Sequence, residues 1–229
     1  MEFGIYQLID ASLVQQQRFD NISNNLANSN TNGFKKDILT FDQELSTVSG
    51  TATDFGPGPI IHTGNELDVA LEGQGFITVQ TPAGTRYTRD GAFRLNKDRN
   101  LVTQSGHIVL GKNGPITIGE GNLTIDKQGQ VLSDNQLIDS LALADFDNPQ
   151  LLRKEGLSLY VYTGGTEGII SVEDTSIQQR YLEKSNVGAT EEMIKMIEAF
   201  RTFESIQKAI QSIDEATSKM VNDSGLLQS

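Results

Sequence analysis

The chain has 229 residues, a hydrophobic fraction of 37% and a formal net charge of −12 at neutral pH. The absence of cysteine excludes disulfides, thiolate metal sites and cysteine nucleophiles, and the acidic balance argues against a nucleic-acid partner, because phosphate binding requires clustered lysine and arginine. No apolar run approaches the roughly 20 residues of a membrane span, so no membrane insertion is expected.

Apolar side chains recur at spacings of three and four residues across 3–28, which is typical of an amphipathic helix. The helix is expected to end within 28–33, because asparagine and glycine tolerate the left-handed backbone that terminates helices. We therefore assign 1–33 to an N-terminal helix followed by an Asn/Gly turn. The apolar stripe of this helix comprises Ile5, Leu8, Ile9, Phe19, Ile22 and Leu26.

Residues 34–65 show no sustained hydrophobic period. The run Gly56-Pro57-Gly58-Pro59 interrupts regular structure, because proline lacks a backbone donor and glycine favours turns. We predict an extended connector that contains one or two short strands.

From 66 to 186, short runs of apolar and β-branched residues alternate with turn residues. The turns recur about every 8–12 positions, which is typical of an all-β domain built from antiparallel hairpins. Residues 76–80 and 86–88 flank one turn, and 93–95 and 101–103 flank another. We predict a central antiparallel β-domain that contains the folded core.

Residues 187–229 return to a helical pattern, with a stripe whose mean spacing is close to the value of about 3.5 of a coiled coil. Thr190 is the expected N-cap, and the following Glu191 and Glu192 suit the positive end of the helix dipole. The predicted fold class is α+β, with discontinuous terminal helices that form a coiled-coil domain and a central antiparallel all-β domain. The stripe comprises Met193, Met196, Ile197, Phe200, Phe203, Ile206, Ile210, Ile213 and Met220.

The two terminal helices are predicted to pair with each other and with neighbouring subunits. Neither is expected to be stable alone, because most helical stability in proteins comes from packing an amphipathic face. Removal of 1–33 or 187–229 is accordingly expected to leave a folded β-domain. The alternative is that both helices lie on the β-domain of a monomer. The predicted assembly seam comprises Ile5, Leu8, Phe19, Ile22, Leu26, Met193, Met196, Ile197, Phe200, Phe203, Ile210 and Ile213.

The polar residues do not form a catalytic or metal-binding pattern. His62 and His107 lie in turn contexts without metal-ligand spacing. Asp68 and Asp90 are candidates for paired carboxylates, but each more simply caps a turn. The run 73–75 lacks the third glycine and the helix of a dinucleotide site. We predict no catalytic residue, no cofactor and no metal, and we do not expect an enzyme.

A secreted binding module, with a β-domain that recognises glycan or protein, is a second hypothesis. Such a surface requires clustered exposed aromatic residues, and only Tyr160 and Tyr162 come close. Their alternation with Leu159 and Val161 is also the pattern of an ordinary strand, which is the favoured interpretation.

Specific motifs occur at both ends and in the middle of the chain. They are Asn24-Asn25-Leu26-Ala27-Asn28, Thr31-Asn32-Gly33-Phe34-Lys35, the runs 64–76, 87–93 and 101–106, Ser185-Asn186-Val187, and the helical positions Glu192-Met193-Ile194, Met196-Ile197, Arg201, Phe203-Glu204, Lys208, Ile210-Gln211 and Asp214-Glu215. In this order they closely resemble the bacterial flagellar rod and hook proteins, the axial family. The length favours the rod over the longer hook, and the run 110–116 is similar to the proximal-rod type. Phe203, where many relatives have tyrosine, and the stretch 188–190 depart from the family pattern.

The resemblance implies a structural subunit of the flagellar basal-body rod. It would assemble with itself and with other axial proteins into the helical tubular drive shaft that crosses the cell envelope, with the terminal helices as an inner coiled-coil layer. A distal-rod or hook-type subunit is the alternative within the family. The resemblance also implies delivery to the envelope by the flagellar type III export apparatus without a cleaved signal peptide, and Met1–Gly4 lack a basic n-region. The signature turn that carries the resemblance comprises Asn24, Asn25, Asn28, Thr31, Gly33 and Phe34.

Overall fold

A computed structural model describes residues 2–41, 48–156, 158–170, 172 and 175–226. Helix α1 spans Glu2–Ala27, and helix α2 spans Ala189–Leu226. Antiparallel strands occupy the chain between them, so the predicted α+β class with terminal helices and a central β-domain is confirmed. Neither helix in the described part of the chain combines the length and the apolar character needed to cross a bilayer.

The strands are short, as expected for hairpins separated by closely spaced turns. The first ten are β1 (Asp37–Phe41), β2 (Val48–Thr53), β3 (Ile60–His62), β4 (Val69–Glu72), β5 (Phe76–Thr81), β6 (Gly84–Thr88), β7 (Phe93–Leu95), β8 (Leu101–Thr103), β9 (Ile108–Gly111) and β10 (Gly114–Pro115). The others are β11 (Leu123–Ile125), β12 (Gln130–Ser133), β13 (Gln136–Ser140), β14 (Leu143–Phe146), β15 (Leu152–Lys154), β16 (Leu159–Tyr162), β17 (Ile169–Ile170), β18 (Ser176–Gln179) and β19 (Tyr181–Glu183).

The chain divides into two compact units, each built from discontinuous segments. The helical unit consists of Met1–Ala27, Asp37–Ala52 and Gly188–Ser229. The β unit consists of Asn28–Lys36 and Thr53–Val187.

The observed division differs from the predicted boundaries in the region of the turn and the connector. Residues 28–33 were expected to accompany the N-terminal helix, but they belong to the β unit, where the Gly33 N–H donates to the carbonyl of Glu183 at 2.9 Å. The connector 34–65 contains three strands rather than one or two, and the two-stranded sheet of β1 and β2 belongs almost entirely to the helical unit. The local sequence did not reveal either assignment, because both depend on pairing with distant residues.

The β unit is organised around a large antiparallel sheet. Its strand order is β15-β16-β6-β5-β9-β8-β7, with β10 on β9, β14 on β5 and β17 on β14. The predicted hairpins are confirmed as β5–β6 and β7–β8. A separate sheet has the order β11-β12-β13, and β18 and β19, which come last in sequence, pair with the early strands β4 and β3.

Two clusters of buried apolar side chains stabilise the β unit. The larger one includes Ile77, Val79, Phe93, Leu101 and Val109 from the central sheet, none of them more than 1% exposed. The alternating pattern of the strands places these side chains on the inward face. The smaller cluster is aromatic and comprises Phe76, Tyr87, Ala144, Phe146, Leu152 and Tyr160.

The aromatic pair considered for a binding module is part of this smaller cluster. Tyr160 is fully buried, and its ring centroid lies 5.5 Å from that of Phe76. Tyr162 is partly buried, with its ring 4.5 Å from Phe146 and its hydroxyl donating to Asp147 at 2.7 Å. The interpretation as an ordinary strand is therefore correct for β16.

Candidate assembly surface

Helices α1 and α2 pack against each other in the helical unit. Phe19 lies beside Met196 and Ile197, whereas the more N-terminal Gln15 lies beside Phe203, so the helices run antiparallel. Ile22 and Ala199 are buried along this contact. Other predicted seam residues are half-buried within the helical unit, namely Leu8, Leu26, Met196, Ile210 and Ile213.

A second apolar stripe on α2 is exposed. Met193, Ile197 and Phe200 have exposed fractions of 53%, 55% and 60%. Their spacing of four and three residues places them on one face of the helix. We call these three residues the outer stripe. The single seam predicted from the sequence therefore divides into residues that are buried between the helices and the bordering outer stripe, which stays more than half exposed although Ile197 and Phe200 also lie beside Phe19.

Helix α1 also exposes apolar residues that the sequence prediction left out of the seam. Tyr6, Ile9 and Leu13 are 66%, 43% and 54% exposed. Phe19 of α1 and Phe203 of α2, both predicted seam residues, are exposed by 41% and 37%. The side chain of the remaining predicted seam residue, Ile5, lies outside the described residues.

The beginning of α2 differs in one detail from the prediction. Thr190 was expected to cap the helix, but α2 begins at Ala189, so Thr190 lies inside its first turn. The Glu192 N–H donates to the carbonyl of Gly188 at 3.0 Å, which closes that turn. Glu191 and Glu192 do occupy the first turn, near the positive end of the helix dipole.

Asn25, a member of the signature turn, joins α1 to β1 inside the helical unit. Its Nδ2 donates to the carbonyl of Asp37 at 2.8 Å, and its Oδ1 accepts from the Asp37 N–H at 2.9 Å. The side chain is 2% exposed. The Asn25 carboxamide pairs with both the main-chain N–H and the main-chain carbonyl of Asp37. It therefore fixes the position of β1 along the last turns of α1.

The rest of the signature turn reverses the chain and enters the β unit. Asn28 is buried and accepts from the Thr31 N–H through its carbonyl at 3.1 Å and from the Thr31 hydroxyl through Oδ1 at 3.2 Å. Phe34 is 2% exposed, and Lys154 Nζ lies 4.1 Å from its ring centroid. Asn24, the first residue of the signature, is exposed.

Gly33 is required by both conformation and space. Its φ of +65° lies in the left-handed region, which side chains with a Cβ rarely adopt. A Cβ at this position would lie 2.4 Å from the carbonyl carbon of Arg89 and 2.5 Å from the amide nitrogen of Asp90. The turn therefore packs backbone against backbone on the segment that follows β6.

Sequence reasoning missed a buried group of charges that connects three distant parts of the β unit. Lys35 and Glu183 are 0% and 1% exposed, with Lys35 Nζ 2.5 Å from Glu183 Oε1. Arg89, also buried, has its Nη1 3.6 Å from Glu183 Oε2. We call Lys35, Arg89 and Glu183 the ion cluster. No short-range signal identifies it, because its members are far apart in sequence and Lys35 beside Lys36 resembles a solvated basic pair.

Main-chain groups satisfy much of the remaining polarity of the ion cluster. Lys35 Nζ donates to the carbonyl of Gly56 at 2.9 Å, and the Gly58 N–H donates to Glu183 Oε1 at 2.8 Å. Arg89 donates to the carbonyls of Leu71 and Gly73. Burial lowers the pKa of Lys35, and the Glu183 carboxylate opposes that shift.

The residues examined for catalysis have structural surroundings. The Asp68 carboxylate accepts from the Thr63 hydroxyl at 2.7 Å and from Asn65 Nδ2 at 2.9 Å, and Asp90 accepts from the Ala92 N–H at 3.0 Å. The ring of His62 packs 4.9 Å from that of Tyr181. Among the residues that the structure describes, no three metal-ligating side chains cluster.

Three family models match the chain at its two ends and in its middle. A flagella basal body rod protein model matches residues 11–35, and a flagellar hook protein FlgE/F/G D1 domain model matches 70–133. A flagellar basal body rod FlgEFG protein C-terminal model matches 178–223. These segments contain the signature turn, the hairpins β5–β6 and β7–β8, and most of α2.

Whole-length relatives give the same result. The chain is 33% identical over 243 aligned residues to the flagellar basal-body rod protein FlgF of Caulobacter vibrioides, covering 98% of this chain and 99% of that protein. It is 30% identical to FlgF of Mesorhizobium japonicum over 94% of this chain and 97% of that protein. It is 32% identical to the flagellar basal-body rod protein FlgG of Bacillus subtilis over 96% and 98%. On this evidence the chain belongs to the flagellar basal-body rod proteins, the structural subunits of the rod.

Proposed function

We propose that this subunit joins the rod through the outer stripe of α2, while the inner faces of α1 and α2 hold its own ends together. The subunit is of the proximal-rod type. With copies of itself and with other axial proteins it builds the helical tubular drive shaft that crosses the cell envelope.

The exposure of Met193, Ile197 and Phe200 on one helix face is the observation that carries this proposal. Fully burying a large apolar side chain contributes about 1.5–3 kcal/mol, so three such residues on a neighbouring subunit form a substantial contact. Contiguous exposed apolar surface often marks a protein interface. The outer stripe therefore has the chemistry expected of a surface between subunits.

The finer features of this role are also part of the proposal. The subunit reaches the envelope through the flagellar type III export apparatus and works there without inserting into a membrane. Its role is mechanical rather than enzymatic, and it binds neither cofactor nor nucleic acid. The hydrogen-bonded, structural surroundings of Asp68 and Asp90 support this view.

Phe200→Asp tests the outer stripe in a strain that lacks the native gene. We expect motility, and the amount of the subunit in purified basal bodies, to fall at least about tenfold, because an interface cannot bury an unpaired carboxylate cheaply. Secretion of the variant into the medium would show that export is intact. Circular dichroism of the purified variant should retain the β signal.

Ser205→Asp is the matched control. Ser205 is exposed, and its position on α2 is roughly 80–140° around the helix from the three residues of the outer stripe. It should therefore accept the same charge without loss of motility. Normal motility of the Phe200→Asp strain would show that the outer stripe is not the contact surface.

A further inference from the structure

The chain passes between the β unit and the helical unit at four places. These are the bonds 27–28, 36–37, 52–53 and 187–188. The second and third lie within two residues of Lys36 and Asp54, which both bind Asn186, and Asn186 itself lies just before the last crossing. No catalytic or binding role explains this residue.

Asn186 binds two separate stretches of backbone within the β unit, 34–36 and 54–56. Its Oδ1 accepts from the Lys36 N–H at 2.7 Å. Its Nδ2 donates to the carbonyl of Asp54 at 2.9 Å and to the carbonyl of Gly56 at 3.1 Å. Its own main-chain N–H donates to the carbonyl of Phe34 at 3.3 Å. The carboxamide thus uses its acceptor and both of its donor hydrogens.

The segments that Asn186 binds are also joined to each other. The Asp54 N–H donates to the carbonyl of Lys36 at 2.9 Å, and Lys36 Nζ lies 3.3 Å from the Asp54 carboxylate. Lys36 and Thr53–Asp54 adjoin the second and third crossings, and Asn186 adjoins the fourth. One side chain therefore fixes the mutual positions of three segments where they leave the β unit.

The residue on the far side of the 36–37 bond is bound in the same manner. There the Asp37 N–H donates to Oδ1 of Asn25, within the helical unit. Successive backbone N–H groups are thus bound by two different asparagines, one in each unit.

We propose that Asn186 is a positioning residue for rod assembly, which holds the three chain segments in the arrangement from which the helical unit continues. The role requires a planar group with one acceptor and two donors, and among short side chains only asparagine provides it. This inference rests on the proposed assembly function and adds a determinant that is not part of the outer stripe.

Asn186→Asp is the sharpest test, because it preserves shape and removes both donor hydrogens. In the full-length protein, we expect the Asp54 and Gly56 amides to exchange about tenfold faster, the factor that corresponds to losing a hydrogen bond of about 1.4 kcal/mol, because the new carboxylate repels the Asp54 and Gly56 carbonyls that Nδ2 binds. The Lys36 N–H should keep its protection, because a carboxylate oxygen can replace the accepting Oδ1. Amides of β5, β6 and β9 should keep their protection. Incorporation into basal bodies should fall several-fold.

Asn96→Asp is the matched control. The Asn96 Oδ1 accepts from the Asp98 and Asn100 N–H groups, a role that a carboxylate also performs. This variant should retain both exchange protection and assembly.

Unchanged exchange at Asp54 and Gly56, or unchanged incorporation despite faster exchange, would overturn the proposal for Asn186. Loss of protection throughout the central sheet would instead point to general destabilisation by the charge. In that case Asn186→Ala, which removes the hydrogen bonds without adding charge, distinguishes the two explanations. Loss of exchange protection throughout the central sheet in Asn186→Ala as well would overturn the positioning role. The exchange result does not depend on the outer stripe, so failure of the Phe200→Asp test and failure of this one are distinguishable.

Discussion

Two constraints require glycine at position 33: a positive φ and the absence of space for a Cβ atom. The sequence alone does not distinguish between them. A positive φ is expected for a glycine that ends an Asn-rich turn, and it is observed. The close approach of the Arg89–Asp90 backbone is a tertiary fact. The need for glycine at this position was therefore predictable from the neighbouring residues in the sequence. The steric contact with the Arg89–Asp90 backbone, which also requires glycine, was not.

Gly33→Val should reduce the stability of the β unit by more than the roughly 1–3 kcal/mol that left-handed backbone strain alone costs. The excess comes from contact between the new side chain and the Arg89–Asp90 peptide. Thermal unfolding of the purified variant measures the loss. We also expect it to reduce assembly, because fewer folded subunits reach the rod.

Gly165→Val provides the comparison for strain without contact. Gly165 has a φ of +76°, and a Cβ there would meet nothing within 4 Å. If both valine variants lower the melting temperature equally, the close approach at Gly33 has no energetic weight.

The sequence did not predict the burial or the pairing of the residues in the ion cluster. Lys35 lies next to Lys36 in the sequence, and adjacent lysines are usually solvated, yet the structure buries Lys35 completely beside Glu183. A buried ion pair requires good geometry and further hydrogen bonds to offset desolvation, and the carbonyl of Gly56 and the N–H of Gly58 contribute them. Folding alone brings together residues that are separated by most of the chain.

At the scale of elements, hydrophobic periodicity predicted the helices and the hairpins well. The two end helices and the β5–β6 and β7–β8 pairs follow from local pattern. The strands β1 and β2 were treated as connector, because the residues 34–65 show no sustained hydrophobic period and β2 is rich in serine, threonine and glycine. The division of the predicted seam into an inner face and an outer stripe also required the structure, since periodicity identifies apolar positions and not their partners.

Ile22→Ala tests the inner face of α1. Ile22 is 7% exposed in the helical unit, and truncating a buried isoleucine typically costs about 2–5 kcal/mol. We expect faster amide exchange along α1 and a weaker helical circular dichroism signal, with the β unit unchanged. Gln7→Ala, at an exposed position of the same helix, should leave both signals intact. Equal exchange rates in the two variants would contradict the pairing of α1 with α2 in the free subunit.

At the scale of the whole molecule, the two units share the chain in alternating pieces. The β unit needs residues 28–36 at one end and 181–187 at the other, because Gly33 and Lys35 both bind Glu183. The expectation that removing residues 1–33 leaves a complete β-domain is corrected accordingly: the N-terminal boundary of that domain lies near residue 28.

A pair of fragments measures this requirement. The fragment 28–187 should fold cooperatively as a monomer. The fragment 37–187 lacks Lys35 and leaves Glu183 buried without its closest cation, a loss of about 3–5 kcal/mol for a broken buried pair. Urea unfolding followed by circular dichroism compares them, and equal midpoints would show that residues 28–36 do not stabilise the β unit.

The sequence by itself determined the α+β class, the two terminal helices, the hairpins of the central domain and the resemblance to rod proteins. These are properties of local pattern and of ordered motifs, which a linear chain displays directly. Only the tertiary structure decided which apolar residues pair within the chain, which unit contains the signature turn, that Lys35, Arg89 and Glu183 form a buried ion cluster, and that Asn186 binds distant backbone segments. Those outcomes depend on which distant segments meet, and burial changes the energy of a polar group only after they have met.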